Sequence, residues 1–210
     1  AASAIVGAYR LGRTAILLSR FGRKGLYTST LFHTQAQFFK RLGPALELGR
    51  SFIRPEYQRS YAPLLLLWKG IGGFIARHPQ YRRLFGPVSI SRDYSDLSRR
   101  LIATTLLQHS QAKELSVMVR PRRPAKIAPI RIPGDPKAGK TLHLQDFKEV
   151  SAVVADIEFQ KRDVPVLLRH YLNLGGQLLA FNIDRNFSDA MDGLIVVDLL
   201  RTDRKTLQRY

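Results

Sequence analysis

The sequence of 210 residues contains no cysteine. That absence removes disulfide scaffolds, thiolate zinc sites, iron–sulfur clusters and cysteine nucleophiles together. Acidic residues are scarce, with 16 Asp and Glu against 34 Lys and Arg. No stretch approaches 18 uninterrupted apolar residues, so the sequence predicts no transmembrane helix. Ala1–Arg13 carries an arginine inside its apolar stretch and has no signal-type apolar core. The expected compartment is therefore the cytoplasm.

What is present is a foldable and strongly basic chain. Apolar residues make up 45%, enough to fill a core, which excludes a disordered or fibrous chain. The length fits one domain with or without an appendage. A net charge of +18 points to an acidic partner, the alternative being a basic surface that serves only solubility. Nucleic acid, an anionic membrane surface and an acidic carrier protein all qualify. The charge is uneven: Arg10, Arg13, Arg20, Arg23, Lys24, Lys40 and Arg41 precede the first acid, Glu47. A second run, Arg120, Arg122, Arg123, Lys126 and Arg131, has no acid before Asp135. No zinc-finger spacing, RNP-type aromatic motif or GXXG loop accompanies these runs, so no nucleic-acid module is recognised.

Hydrophobic periodicity gives an alternating α/β order. Ala4–Leu11, Ala45–Ile53, Leu84–Ile90, Gln177–Ile183 and Leu194–Leu199 read as strands. Tyr27–Leu42 reads as a loop feeding a short amphipathic helix stopped by Gly43 and Pro44. Leu64–His78 reads as a helix apolar on most faces and therefore buried, with Pro63 in its first turn. Ser95–His109, Leu144–Glu158 and Val164–Leu174 read as further helices. Thr202–Tyr210 reads as the start of another. Val117–Pro133 is rich in proline and arginine and predicts an exposed arm. The organisation expected is one half-domain over 1–116, a basic arm over 117–143, and a helix with the remainder of the same domain over 144–210. The first strand begins almost at residue 1, so an upstream segment is expected.

Several motifs bear on chemistry. Gly134–Thr141 matches the P-loop string, yet two prolines and an arginine precede it where a buried strand is needed, and Pro136 removes a donor from the phosphate cradle. A solvated lysine-rich loop is the competing reading. The five histidines (His33, His78, His109, His143, His170) form no HEXXH pattern, and none has an aspartate five positions on, as a glycerolipid O-acyltransferase motif requires. Glu47 lies between Leu46 and Leu48, a partly desolvated setting that suits a base accepting an amine proton. An ordinary ion pair with Arg10 or Arg50 is the alternative. Strict alternation puts residues 47 and 50 on opposite faces, so a shared site needs a bulge, for which Gly49 is the natural place. Asp184 and Asp192 flank the last strand pair and read as surface turn residues. Met191 and Phe187 either line a chain cavity or simply pack.

Taken in order, AIVGAYRL, PALELGRSFIRPEYQRSYAPLLLLWKGIGGFIARH, LFGPVSISRDYSDLSRRLI and DVPVLLRHYLNLGGQLLAFNIDRNFSDAMDGLIVVDL resemble the acyl-carrier-protein-dependent N-acyltransferases of the GNAT superfamily. That branch includes ornithine-lipid synthases and hemolysin-like proteins. A more distant likeness is to acyl-homoserine-lactone synthases, through Glu47-Leu48-Gly49-Arg50. The resemblance spans nearly the whole chain and implies a GNAT-like α/β fold: a central mixed, twisted sheet flanked by helices, lacking its N-terminal part.

The resemblance also implies a function. A fatty acyl group, often 3-hydroxylated, would pass from acyl carrier protein to the α-amine of ornithine or a similar amino acid. Glu47 would be the base, with Arg10 and Arg50 orienting it or holding the acceptor carboxylate. Backbone N–H groups of Ser51, Phe52 and Ile53 would bind the oxyanion and thioester. Arg59, Ser60 and Tyr61 would meet the carrier's phosphopantetheine. The loop Gln58–Pro63 has no glycine, unlike a coenzyme A pyrophosphate cradle, which agrees with a single phosphodiester at a helix N-terminus. No bound cofactor and no metal are expected; the acyl carrier protein thioester is a co-substrate. Expected partners are the acidic carrier protein, the amino-acid acceptor and the anionic inner face of the cell membrane, with no nucleic acid. The alternatives are a non-enzymatic, membrane-associated module on the same shell, and a basic nucleic-acid-binding domain.

Overall fold

The computed structural model describes residues 4–128, 130, 147–159 and 162–209. The Gly134–Thr141 string and His143 lie outside the described residues. Seven strands and eight α-helices are described: β1 (Gly7–Arg13), α1 (Thr14–Phe21), β2 (Phe32–Thr34), α2 (Ala36–Leu42), β3 (Ala45–Ile53), α3 (Ala62–Arg77), β4 (Arg83–Ile90), α4 (Asp96–His109), α5 (Lys113–Ser116), β5 (Val119–Pro121), α6 (Phe147–Ile157), α7 (Val166–Asn173), β6 (Gln177–Asp184), β7 (Ala190–Asp198) and α8 (Arg204–Leu207). Five strands form one mixed sheet in the order β1-β3-β4-β7-β6. Only β3 and β4 run parallel. The short strands β2 and β5 form a separate antiparallel pair.

Period-2 alternation gives the sheet two apolar faces. Leu46, Leu48, Leu84, Val88, Ile195 and Val197 point to one side, where Trp68 of α3, Ile102 of α4, Val154 of α6 and Tyr171 of α7 cover them. Ala45, Phe85, Leu194 and Val196 point to the other side, under Phe32 of β2, Phe38 of α2 and Val119 of β5. Local chemistry fixes the element ends. Ser95 caps α4 by accepting the N–H of Ser98. Gly43 and Gly175 end α2 and α7 with positive φ, which costs glycine nothing.

The structure departs from the sequence reading in three places. Residues 14–21, to which the sequence reading assigns no element, form α1. Helix α3 is not buried all round: Trp68 and Ile71 are buried, while Leu66 is 67% exposed. The described part of the 117–143 segment includes β5, with Met118 and Val119 buried. Its backbone is then stitched to both sides: Arg122 N–H donates to Leu31 O (2.9 Å), and Ile183 N–H donates to Arg123 O (2.8 Å).

Candidate active site

The site begins where two parallel strands part. β3 pairs with β4 only at Ala45, Leu46 and Glu47, opposite Arg83, Leu84 and Phe85. β3 then runs on to Ile53 and β4 to Ile90 without further pairing. The closest approach beyond the paired part is at Gly86, where a Cβ would lie 2.1 Å from Leu48 O, so only glycine fits. Pro87 follows and offers no N–H to either neighbour. On its other side β3 remains paired with β1, with a register shift between Ala8 and Arg10. Ala8 faces Phe52 and Arg10 faces Gly49, so Tyr9 stands opposite both Arg50 and Ser51. This is a β-bulge, and Arg50 carries its left-handed conformation at φ 49°. The bulge thus falls at Arg50 and Ser51, not at Gly49 between residues 47 and 50 where the sequence placed it, and residues 47–49 keep regular register with β1. Arg54 N–H donates to Val6 O on the β1 side. Alternation then turns the N–H groups of Ile53 and Ser51 toward the gap.

A cavity of about 1010 Å³ occupies the gap. Its floor is the sheet: Pro87 and Ser89 from β4, and Asn182 and Asp184 from β6. Tyr9, Gly49, Arg50, Ser51 and Phe52 form one wall, and Tyr27, Thr30 and Leu31 another. Arg122, Arg123, Leu167 and Phe187 complete the lining. Phe52 and Phe187 are more than half exposed at its edge. The charged complement is mixed, with three guanidinium groups against the Asp184 carboxylate. Arg50 also lies over the Tyr27 ring, 5.0 Å from its centroid.

Beneath this floor lies Asp192 of β7, 2% exposed, in register with Ser89 on one side and Asn182 on the other. Ser89 Oγ donates to Asp192 Oδ1 at 2.5 Å. Burial pushes the Asp192 carboxyl up to about 6; the Ser89 hydrogen bond holds it back and the Asp184 charge adds to the rise. Asn182 Oδ1 accepts the N–H of Arg123 at 2.7 Å. The Tyr27 hydroxyl is also raised, first by burial and then by the charges of Asp192 and Asp184.

With this geometry in place, residues 1–69 match the family profile described as "Acetyltransferase (GNAT) domain". This is a GNAT-type fold. Two curated relatives, both named glycine N(alpha)-acyltransferase, align with 97% of the chain. The one from Bacteroides thetaiotaomicron is 28% identical and the one from Phocaeicola vulgatus 27% identical. The chain spans 63% and 65% of their lengths, respectively. No solved structure gives a significant match.

In this GNAT-type gap the residues singled out from the sequence separate into three groups. Arg50, Ser51 and Phe52 line the cavity, and Ile53 continues the same strand. Glu47 and Arg10 sit beside it. The Glu47 side chain is 1% exposed and absent from the lining. Its Oε1 accepts Thr28 N–H and Thr28 Oγ1–H, each at 2.8 Å, and its Oε2 accepts Tyr27 N–H at 3.0 Å. Arg10 Nη2 stands 3.5 Å from Oε2. The carboxylate thus clamps the Tyr27–Thr30 turn, which forms a cavity wall, and does not open onto the cavity itself. Arg59, Ser60 and Tyr61 lie on the exposed turn before α3, outside the lining. There Ser60 Oγ accepts Ala62 N–H, while the Tyr61 ring stacks on His170 and its hydroxyl contacts His170 Nε2.

Asp184 and Asp192 depart from the surface-turn reading, being 8% and 2% exposed. Ser89 had no signal of its own. The trace left in the sequence is a short polar residue between apolar neighbours in each of three strands: Val88-Ser89-Ile90, Phe181-Asn182-Ile183 and Met191-Asp192-Gly193. Register alone brings the three side by side.

Proposed function

We propose that the chain is an N-acyltransferase that moves a fatty acyl group from acyl carrier protein to the α-amine of a small free amino acid. The observation that carries this reading is the splayed β3–β4 pair with a bulge in β3 and a large cavity in the gap. A thioester carbonyl seated against β3 meets the N–H groups of Ser51 and Ile53, which face the gap and suit a developing oxyanion. The neutral amine attacks the carbonyl carbon, the C–N bond forms, the C–S bond breaks, and the thiolate leaves on the carrier's pantetheine.

The donor arm would leave past the exposed turn at Arg59, Ser60 and Tyr61. The N-terminus of α3 attracts a single phosphodiester there, and the turn lacks the glycines of a pyrophosphate cradle. An acidic carrier suits the basic stretches that precede Glu47. Exposed Phe52 and Phe187 offer apolar surface to the acyl chain. Arg50, Arg122 and Arg123 at the cavity supply forked donors for the acceptor's carboxylate, and Asp184 faces its amine. Glycine, the substrate in the relatives' names, and ornithine, the acceptor implied by the sequence resemblance, are the two acceptors to try. Association with an anionic membrane surface belongs to the same reading; among the described residues no helix is long and apolar enough to cross a bilayer.

The test is release of free thiol from acyl-loaded carrier protein. Thiol should appear only when glycine or ornithine is added, with the N-acyl amino acid formed in equal amount. Release at the same rate without any amine would mark a thioesterase and overturn the reading.

A further inference from the structure

We infer that Ser89 and Asp192 form the proton-accepting pair of this site: Ser89 touches the acceptor's amine and Asp192 receives the proton through the Ser89 hydroxyl. The inference rests on the acyl-transfer reading above and deepens it.

Two buried carboxylates on the same face of the sheet differ in how their lone pairs are used. Glu47 accepts three hydrogen bonds and has Arg10 within 3.5 Å, so its capacity is spent on holding the Tyr27–Thr28 backbone. Asp192 is as deeply buried, yet among the described residues its carboxylate has one hydrogen-bond donor, Ser89, and no Lys or Arg within 4.0 Å. A buried carboxylate left so under-supplied is stabilised by a proton or a cation. The position fits the chemistry. Ser51 on β3 and Ser89 on β4 each lie three residues beyond the closest approach at Leu48 and Gly86, on opposite sides of the opening gap. A carbonyl held at Ser51 and an amine held at Ser89 therefore face each other across the same cavity.

The step balances. An acceptor entering as an ammonium gives one N–H proton to Ser89 Oγ, while the Ser89 hydroxyl proton passes to Asp192 Oδ1. The freed nitrogen lone pair attacks the thioester carbon. When the C–S bond breaks, the thiolate takes the remaining excess proton from nitrogen, and Asp192 returns its own to water. Asp184 from β6 and Tyr27 from the turn over the cavity interact with Asp192, and Arg50 from β3 with Arg122 and Arg123 from the segment after β5 line the same cavity as Ser89. Asp184 raises the proton affinity of Asp192.

The experiment is the pH dependence of kcat/KM for thiol release from acyl carrier protein, with glycine and with ornithine, in the full chain and in Asp192→Asn and Ser89→Ala. The unaltered chain should rise through an apparent pKa near 6 and then level, because Asp192 removes the proton even where the amine is charged. Both variants should lose about 10²- to 10⁴-fold at neutral pH. They should then climb with unit slope toward the amine's own pKa, so the deficit shrinks as free amine accumulates. A purely structural role would lower the whole profile without changing its shape. Variants that keep the parent's profile shape overturn the inference and leave acyl transfer standing. If Asp192→Asn does not fold, Ser89→Ala carries the same test. If the unaltered chain releases no thiol with either amine, the reading beneath the inference falls as well.

Discussion

Replacing Glu47 by glutamine should cost stability before it costs chemistry. The side chain keeps its shape but loses its charge and one of its two acceptor oxygens. Whichever way the amide turns, either the Tyr27 N–H or the two Thr28 donors then face an NH₂ group. A buried donor left without an acceptor costs about 1–3 kcal/mol, and each bond that survives loses its charge assistance, about 1 kcal/mol. The pair with Arg10, whose own side chain is 39% exposed, adds less than about 1 kcal/mol after solvent screening. The total is about 3–5 kcal/mol, which in a domain of this size lowers the melting midpoint by roughly 10 °C or more. The assay is thermal and urea denaturation of Glu47→Gln beside the parent chain, with thiol release measured well below both midpoints. A variant that melts within about 2 °C of the parent yet has lost its activity would refute the reasoning. The carboxylate would then serve the reaction and not the turn.

Three other perturbations have defined outcomes. Asp192→Asn should stabilise the fold at neutral pH. The native carboxyl titrates near 6 and the unfolded one near 3.8, so the native state holds its proton more tightly and stability falls as pH rises between those values, by about 3 kcal/mol in all; the variant should lack that decline in urea titrations at pH 4 and pH 7. Gly86→Ala should unfold the chain or force β3 and β4 apart, because its Cβ would lie 2.1 Å from Leu48 O; a midpoint within about 3 °C of the parent would contradict the close approach. Arg50→Gly should relieve a left-handed residue and gain about 1 kcal/mol, while raising KM for the amino acid; a lower denaturation midpoint would count against the bulge geometry.

Much of the fold was readable from the residues. The strands at 45–53 and 177–184 follow their hydrophobic runs, and Ser95 and Pro63 mark real helix starts. β2 and β5 were not readable, since a three-residue strand has too few alternations to register as a period. Helix α3 read as buried because apolar content was taken for burial, although Leu66, Gly70 and Gly73 form an open face. The site divided the same way. A bulge in β3 was legible in the local sequence, though at Gly49 and not at Arg50 and Ser51 where it lies. The environments of the carboxylates were not. The partners of Glu47 come from a turn about twenty residues earlier, and those of Asp192 from a strand about a hundred residues earlier. Glu47 between two leucines and Asp192 beside a glycine look alike in a linear string. Strand register and turn placement turn one into a clamp and leave the other short of donors.

The most direct measurement is amine-dependent thiol release from acyl-loaded carrier protein in the presence of the purified chain. The account predicts that glycine or ornithine triggers release with matching formation of an amide product. An equal amount of thiol set free with no amine present, or none with either amine, would contradict it.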